Sequence, residues 1–286
     1  MQLPRRSLMG LMAAAGAGAA LPRALSAAPA PLDLTSPAGR LRHFQMVRGS
    51  LDDRLISSWC AARYYAVIEG ALTPIFNVHS AVFARHRPIT SGAYAGGFEM
   101  VSGEIAWFTD IETGKALETW ANPFNGKVIK VPMGGLPPSR AFFGPDLELH
   151  IARAIPGMTL NHEIMPFVVR GNDVWITERS RTAMQAPGAP KPFRYSESNT
   201  FRTSLSALGA KGARHVTSDV NFTNVCSWRP WLEMGDHPGH MMAIGYGQQG
   251  ASFASIPEPW HAATKQYRPE VHRDPAALLA PVWNAA

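Results

Sequence analysis

Cysteine is nearly absent from this chain. Only Cys60 and Cys226 occur among its 286 residues, and neither belongs to a Cys-x-x-Cys pair. A zinc site built from cysteines is therefore unsupported, because such sites need several thiolates at short spacing. The two thiols either join in a disulfide, which an oxidising compartment permits, or remain reduced in the core.

Charge is also scarce, and no basic run stands out in the body of the chain. Charged residues make up 17% and hydrophobic residues 46% of the sequence, which excludes a mainly disordered protein. The formal net charge is +6, from 27 basic and 21 acidic residues; without Arg5, Arg6 and Arg23 the balance is 24 minus 21, or +3. We therefore expect no nucleic-acid partner.

Long apolar runs are missing, apart from a short one near the start. The pair Arg5-Arg6 precedes an apolar stretch at residues 10–21, and small residues at 26–28 fit a cleavage site. This order predicts a twin-arginine signal peptide over residues 1–28, because the apolar stretch is too short to cross a bilayer. We expect the twin-arginine export machinery as a partner, a periplasmic location and no membrane span in the mature protein.

Prolines mark the segment that follows the predicted signal peptide. Pro29, Pro31 and Pro37 predict an extended lead-in over residues 29–47. A single β-rich domain is predicted over residues 48–286. Within it, Ser50 is expected to cap a short helix that runs to about Ala62.

Residues 99–131 carry the clearest strand pattern. Segments 103–109, 115–120 and 127–131 read as strands, separated by glycine-terminated turns. They predict three consecutive antiparallel strands. Further strands are predicted at residues 63–69, 74–85, 147–153, 164–170, 174–181, 221–228 and 241–246, with a hairpin turn at 171–173 and a helix at 258–267.

Alternating strands and helices are missing, which argues against a doubly wound α/β fold. Many short antiparallel strands favour a mainly β fold. We expect an antiparallel meander that closes into a barrel, as in calycins and lipocalins, or forms a sandwich, with a few short helices. In a barrel, some aromatic residues such as Tyr64 and Phe76 would line a ligand cavity.

Several catalytic motifs are incomplete or missing. Residues 245–250 have the spacing of a dinucleotide fingerprint, but prolines follow where the fingerprint needs a helix. His162-Glu163 begins like a zinc-protease helix, but the second histidine is missing and Pro166 would break the helix. No Gly-x-Ser-x-Gly elbow occurs. His79, His150 and His162 are isolated in predicted strands and read as core or surface residues. The sequence names no cofactor and no metal.

Polar and aromatic residues concentrate in residues 228–240 (WRPWLEMGDHPGH). Imidazole and carboxylate groups at this spacing can share proton transfer or ligate a metal, and loops on rigid scaffolds often carry sites. A structural corner is the alternative. The candidate catalytic residues are Asp236, His240 and Arg229, and the candidate ligand-binding residues are Trp228, Trp231, Glu233 and His237.

Three phrases in the sequence resemble a known family. These are GEIAWFTDIETG at 103–114, ETWANPFNG at 118–126 and the 228–240 segment. Over residues 45–275 the chain is similar to the bacterial family called domain of unknown function 1838, whose members often carry a twin-arginine leader. The resemblance implies no activity and supplies no catalytic residues. It implies that arginine is common at position 237, which favours Asp236 and His240 over His237 as site residues.

Two functions remain open. The first is an enzyme of lyase, isomerase or hydrolase type that acts on a hydrophobic aromatic or polycyclic small molecule in a barrel cavity. The second is a non-catalytic periplasmic carrier of such a molecule. We expect Asp236 and His240 to lie side by side above Trp228 or Trp231. If this pair faces the cavity the enzyme is favoured, and if it faces solvent the carrier is favoured.

Overall fold

The computed structural model describes residues 32–152, 155–189 and 191–285. The predicted signal peptide over residues 1–28 lies outside them. Within the described ranges, no helix is both long enough and apolar enough to cross a membrane.

The described residues form thirteen strands and five α-helices. The helices are α1 (Pro37–Arg48), α2 (Leu205–Leu208), α3 (Glu258–Tyr267), α4 (Pro269–Arg273) and α5 (Pro275–Trp283). The strands are β1 (Ile56–Ile68), β2 (Ala71–Pro88), β3 (Phe98–Thr109), β4 (Thr119–Ala121), β5 (Val128–Lys130), β6 (Ser139–Phe143), β7 (Leu149–Ile151), β8 (Met158–Ile164), β9 (Val168–Arg170), β10 (Asp173–Met184), β11 (Phe193–Ser204), β12 (Ser218–Cys226) and β13 (His240–Ala251).

One antiparallel sheet contains every strand except β4 and β5. Its order is β7-β6-β3-β2-β1-β13-β12-β11-β10-β8, and β9 pairs with β10. The sheet curls until it is nearly closed into a barrel. Its two end strands, β7 and β8, follow one another in the chain and face each other across a seam, where Phe143 of β6 meets His162 of β8 with ring centroids 5.6 Å apart. The predicted mainly β, antiparallel, barrel-like fold is confirmed.

Alternation along the strands separates an inner face from an outer face. On β1, Ala62, Tyr64 and Ala66 are buried, whereas Arg63, between Ala62 and Tyr64, is exposed. Tyr64 lies opposite Phe76 of β2 and Ala243 of β13, so the register carries the same inner face from strand to strand.

Helix α1 closes one end of the barrel. Its Phe44 is fully buried, with ring centroids 6.4 Å from Phe98 and 5.4 Å from Phe143. Burying one such side chain contributes about 1.5–3 kcal/mol. The predicted extended lead-in over residues 29–47 is therefore wrong from Pro37 onward. Pro37 does not prevent the helix, because it stands in the first helical turn, where no backbone N–H is needed. The Ser36 side chain caps the helix by accepting a hydrogen bond from the Gly39 amide.

The hairpin of β4 and β5 caps the other end of the barrel. Ile129 of this hairpin is buried with Leu232 and Met234 of the 228–240 loop. Of the three strands predicted within residues 99–131, β3 contains 103–109 and β5 lies within 127–131, but β4 covers only the last two residues of 115–120, and β4 and β5 form a separate two-stranded sheet. An isolated bridge between Thr109 and Ala116 links β3 to the segment before β4. The continuous three-stranded meander is therefore only partly formed.

Helices α3, α4 and α5 cover the outer face of β2 and β3. Trp260 of α3 is fully buried against this face, and its indole N–H donates to the Ile105 carbonyl at 2.8 Å. Trp107 of β3 donates to Thr264 of α3 at 2.8 Å. The predicted helix at residues 258–267 is confirmed with the same bounds.

Two other local predictions differ from the structure. The helix expected from Ser50 to Ala62 is wrong, because residues 51–53 form a bend, Asp52 is held by Arg54 at 2.6 Å, and β1 begins at Ile56. The strand expected at 164–170 is split between the end of β8 and all of β9.

Both cysteines are free thiols on the inner face. Burial raises the pKa of Cys60 to about 12 and that of Cys226 to about 11. Of the two alternatives left open by the sequence, the structure therefore shows reduced thiols in the core.

Candidate active site inside the barrel

The expected pair of Asp236 and His240 is not formed. The Asp236 side chain is 94% exposed and contacts Lys191 at 3.3 Å. His240 begins β13 opposite Val67 and alternates with the inward-facing Met241, which places it on the outer face. No hydrogen bond joins the two side chains in the described part of the chain.

Trp228 and His237 build a corner outside the barrel interior. The Trp228 indole N–H donates to the His237 carbonyl at 3.1 Å, and the two rings meet edge to face. The His237 ring also contacts Phe124 of the capping hairpin. This arrangement fits the structural corner that the sequence left as an alternative.

Glu233 and Trp231 have different surroundings. Glu233 adopts a left-handed conformation with φ of 53° and forms an exposed ion pair with Lys127 at 2.8 Å. Trp231 is half-buried and packs on Phe76 and Phe108, with ring centroids 5.7 and 5.2 Å away. Only Trp231 of the two contributes to the wall of the barrel interior.

Arg229 is the one predicted catalytic residue whose side chain enters the interior. It precedes the 3₁₀ turn Pro230–Leu232, and its Nη2 donates to the Tyr64 hydroxyl at 2.8 Å. The guanidinium carbon lies 5.3 Å from the Tyr64 ring centroid, 5.6 Å from that of Phe108 and 6.0 Å from that of Tyr195. Three aromatic rings therefore surround this cation.

A layer of polar side chains crosses the middle of the interior. It comes from strands far apart in the sequence, which the sheet register brings to one face. Its ionisable members are Arg48, Cys60, Tyr64, Glu104, His162, Glu178, Tyr195, Glu197 and Arg229.

Glu178 of β10 is held in the charged form. Its carboxylate contacts Arg48 of α1 at 3.0 Å and His162 of β8 at 2.9 Å. Burial by itself would raise its pKa, but the charge of Arg48 and the hydrogen bond from His162 together lower it to about 2. Arg48, Glu178 and His162 thus form a compensated ionic network.

Glu197 of β11 has the opposite environment. The Tyr195 hydroxyl donates to its Oε2 at 2.8 Å, and Asn199 donates to its Oε1 at 3.3 Å. Burial raises the pKa of Glu197; the Tyr195 hydrogen bond opposes this, and the negative charges of Glu178 and Glu104 raise the pKa further. A carboxyl whose pKa is moved toward neutrality can both accept and release a proton under physiological conditions.

The interior is not completely filled by side chains. Several inner-face residues remain half-buried although the sheet encloses them: Cys60, Val78, Glu104, Phe108, Tyr195, Glu197 and Phe222. Such exposure on a concave face requires space between the walls. Aromatic and aliphatic walls with a few converging polar groups are typical of small-molecule sites.

Sequence reasoning missed most of this layer. Glu104, Glu178 and Glu197 lie in separate strands, and nothing in their local sequence relates them. One signal was available in β11, where Tyr195, Glu197 and Asn199 alternate at positions i, i+2 and i+4 and so share one face.

Metal binding finds no support in the described residues. No group of three or more histidine, cysteine, aspartate or glutamate side chains is arranged there to hold a metal ion.

The comparison with protein families identifies the chain. No curated protein matches it. The family model described as Protein of unknown function (DUF1838) matches residues 52–281, a range that includes all thirteen strands and every ionisable residue of the interior layer except Arg48. The family resemblance seen in the sequence is therefore confirmed, and the chain belongs to the DUF1838 family.

Proposed function

We propose that this protein is an exported enzyme that transfers a proton on a hydrophobic small molecule held inside the barrel. The reaction is of the isomerase, lyase or hydrolase type. The observation that carries the proposal is the Glu197 carboxyl on the inner face, whose pKa is raised by burial and which accepts a hydrogen bond from the Tyr195 hydroxyl at 2.8 Å. A carboxyl on an inner face without a cation in contact is costly to bury, and such groups concentrate at functional sites.

The neighbouring groups supply the remaining roles. The Glu197 carboxylate removes a proton from the ligand, and the resulting carboxyl returns it; the Tyr195 hydroxyl donates a hydrogen bond to the carboxylate before the first step and after the second. Burial raises the pKa of Tyr195 well above its ordinary value, so Tyr195 stays a hydrogen-bond donor at neutral pH. Arg229 and Tyr64 orient an oxygen of the ligand and stabilise negative charge that develops on it.

A carrier function is the second candidate. The observation that favours it is the position of Asp236 and His240, which face solvent and the outer surface rather than the interior. A carrier would use the aromatic walls of the barrel and would leave its ligand unchanged.

Hydrogen–deuterium exchange at carbon separates the two functions. We would incubate the protein in D2O with 2-tetralone, a hydrophobic aromatic ketone, and follow exchange of its α C–H groups by NMR. We expect wild type to accelerate exchange above the buffer rate. In Glu197→Gln the accelerated exchange rate should fall by about 10²–10⁴-fold relative to wild type, because this is the usual contribution of a positioned general base.

The matched control is Glu163→Gln. Glu163 lies on β8 next to His162, but its side chain is 44% exposed and faces outward, so exchange should keep its wild-type rate. Binding of 2-tetralone, followed by tryptophan fluorescence, without accelerated exchange would reject the enzyme and establish the carrier.

A further inference from the structure

One charged side chain in the barrel interior, Arg229, has no partner of opposite charge among the described residues. Arg48 is matched by Glu178 at 3.0 Å. Glu104 accepts a hydrogen bond from Ser80, and Glu197 accepts from Tyr195. Among the described residues, no carboxylate lies within 4.0 Å of the Arg229 guanidinium, so its positive charge is left without an acidic partner.

The hydrogen-bonding capacity of Arg229 is also largely unused. A guanidinium carries five N–H donors, and among residues 32–152, 155–189 and 191–285 the one hydrogen bond it makes is from Nη2 to the Tyr64 hydroxyl. The Nε atom is buried and has no partner in the described part of the chain. Because a buried donor without a partner is costly, this group is suited to a ligand that brings acceptor oxygens.

The rings around Arg229 limit what that ligand can be. Tyr64, Phe108 and Tyr195 face the guanidinium, and Trp231 packs on Phe108 beside them. Cation–π contacts stabilise the guanidinium only partly and leave the edge of its planar fork available. A planar fork of donors matches a carboxylate in a bidentate arrangement, and the surrounding rings favour a flat apolar body.

We propose that the ligand of the barrel interior is a hydrophobic carboxylate, with its carboxylate bound by Arg229 and Tyr64 and its apolar body held between the aromatic walls. This inference rests on the proposed function in using the same interior, and it adds the chemical class of the substrate. Tyr195 is the residue shared by the two groups, since its ring centroid lies 6.0 Å from the Arg229 guanidinium carbon and its hydroxyl donates to Glu197.

Three probes of one shape test the inference. 2-Naphthoate, 2-naphthamide and methyl 2-naphthoate share the naphthalene body, and only the first carries a negative charge on its head group. Their dissociation constants would be measured by isothermal titration calorimetry. We expect the carboxylate to bind about tenfold or more tightly than the amide or the ester, because hydrogen bonds to charged groups are stronger than neutral ones.

Substitutions of Arg229 test whether this residue causes the preference for the carboxylate. Arg229→Gln should reduce the ratio between carboxylate and amide to near one, and Arg229→Lys, which keeps the charge but loses the fork, should retain part of it. The control is Arg63→Gln, since Arg63 is the exposed neighbour of Tyr64 on the outer face. Melting temperatures would show which variants fold. If Arg229→Gln does not fold, the carboxylate preference of Arg229→Lys tests the inference instead.

Equal binding of the three probes to wild type, or an unchanged preference in a folded Arg229 variant, would overturn the inference. Failure of the proposed function has a different signature. Glu197→Gln should still prefer 2-naphthoate, so carboxylate selectivity without any proton exchange at carbon would reject the enzyme and leave the ligand class standing.

Discussion

Two glutamates inside the same barrel illustrate opposite ways to bury a carboxyl group. Glu178 has a cation on one side and an imidazole on the other, and its charge is compensated at 3.0 and 2.9 Å. Glu197 has a tyrosine hydroxyl and an amide, which are neutral donors, and it feels the negative charges of Glu178 and Glu104. The first arrangement stabilises the ionised form, and the second favours the protonated form.

The two glutamates should therefore affect stability with opposite dependence on pH. The pKa of Glu178 is lowered from 4.5 to about 2, so its contribution is present above the unfolded value and is lost as pH falls through the folded value. Glu178→Gln should lower the free energy of unfolding at pH 7 by about 3–5 kcal/mol, because Arg48 stays buried without its partner. Urea unfolding at pH 7 and at pH 3 would measure this, with a smaller difference between variant and wild type at pH 3.

Glu197→Gln should behave in the opposite way. Because the pKa of Glu197 is raised in the folded state, ionisation of this carboxyl costs stability as pH rises above the unfolded value. The variant should equal or exceed wild type in free energy of unfolding at pH 8 and should lose that advantage at pH 4. The same trend in both variants would contradict the assignment of these two environments.

At the scale of elements, the cap over one end of the barrel depends on side-chain amides. Asn122, which is buried just after β4, donates to the Leu232 carbonyl at 2.8 Å and accepts from the Phe124 amide at 3.0 Å. Asn125 donates to the Glu233 carbonyl at 3.0 Å. These bonds attach the 228–240 loop to the hairpin, and through it they position Arg229.

Asn122→Ala should therefore loosen the cap. We expect a loss of about 1–3 kcal/mol in free energy of unfolding, because the Leu232 carbonyl would keep only the longer bond from Asn125 at 3.3 Å and the Phe124 amide would lose its acceptor. Amide hydrogen exchange of residues 228–240 should become faster, while that of α3 should not change. Asn221→Ala on the exposed face of β12 is the control and should leave both measurements at wild-type values. Unchanged exchange in the loop of Asn122→Ala would show that other contacts hold the cap.

Sequence patterns predicted some elements well and others poorly, for identifiable reasons. Helix α3 is compatible with local sequence rules, since Pro259 stands in its first turn, where proline is tolerated. Strand β11 was missed because its inner face carries Tyr195, Glu197 and Asn199, so the usual alternation of apolar and polar residues is absent. The polar interior could not be predicted, because Glu104, Glu178 and Glu197 meet only through the register of three strands.

Across the whole molecule, the barrel interior is closed by local segments from different parts of the chain. Helix α1 fills one end, the hairpin of β4 and β5 covers the other, and the last three helices lie outside on β2 and β3. Such a barrel needs strand pairs from both halves of the sequence before it encloses anything. Export in the folded state, which the twin-arginine route provides, suits a chain of this kind.

We therefore propose that residues 1–28 direct export of the folded protein to the periplasm. Changing Arg5 and Arg6 together to lysine should leave the precursor in the cytoplasm, because the twin-arginine pair is the feature that this route recognises. Cell fractionation followed by immunoblotting would measure the distribution. The matched control changes Arg63 to lysine in the exposed part of β1 and should be exported normally. Normal export of the double variant would reject the twin-arginine route.

The seam between β7 and β8 has a consequence for the size of the molecule that the barrel can hold. A closed hydrogen-bonded ring fixes its own circumference, since each strand must stay in register with two neighbours. Here the ring is interrupted, because β7 and β8 are the two ends of the sheet, and beside this gap the Phe143 ring of β6 contacts the His162 ring of β8. Substitutions of side chains at the seam can therefore change the circumference of the barrel without altering the pairing of any strand.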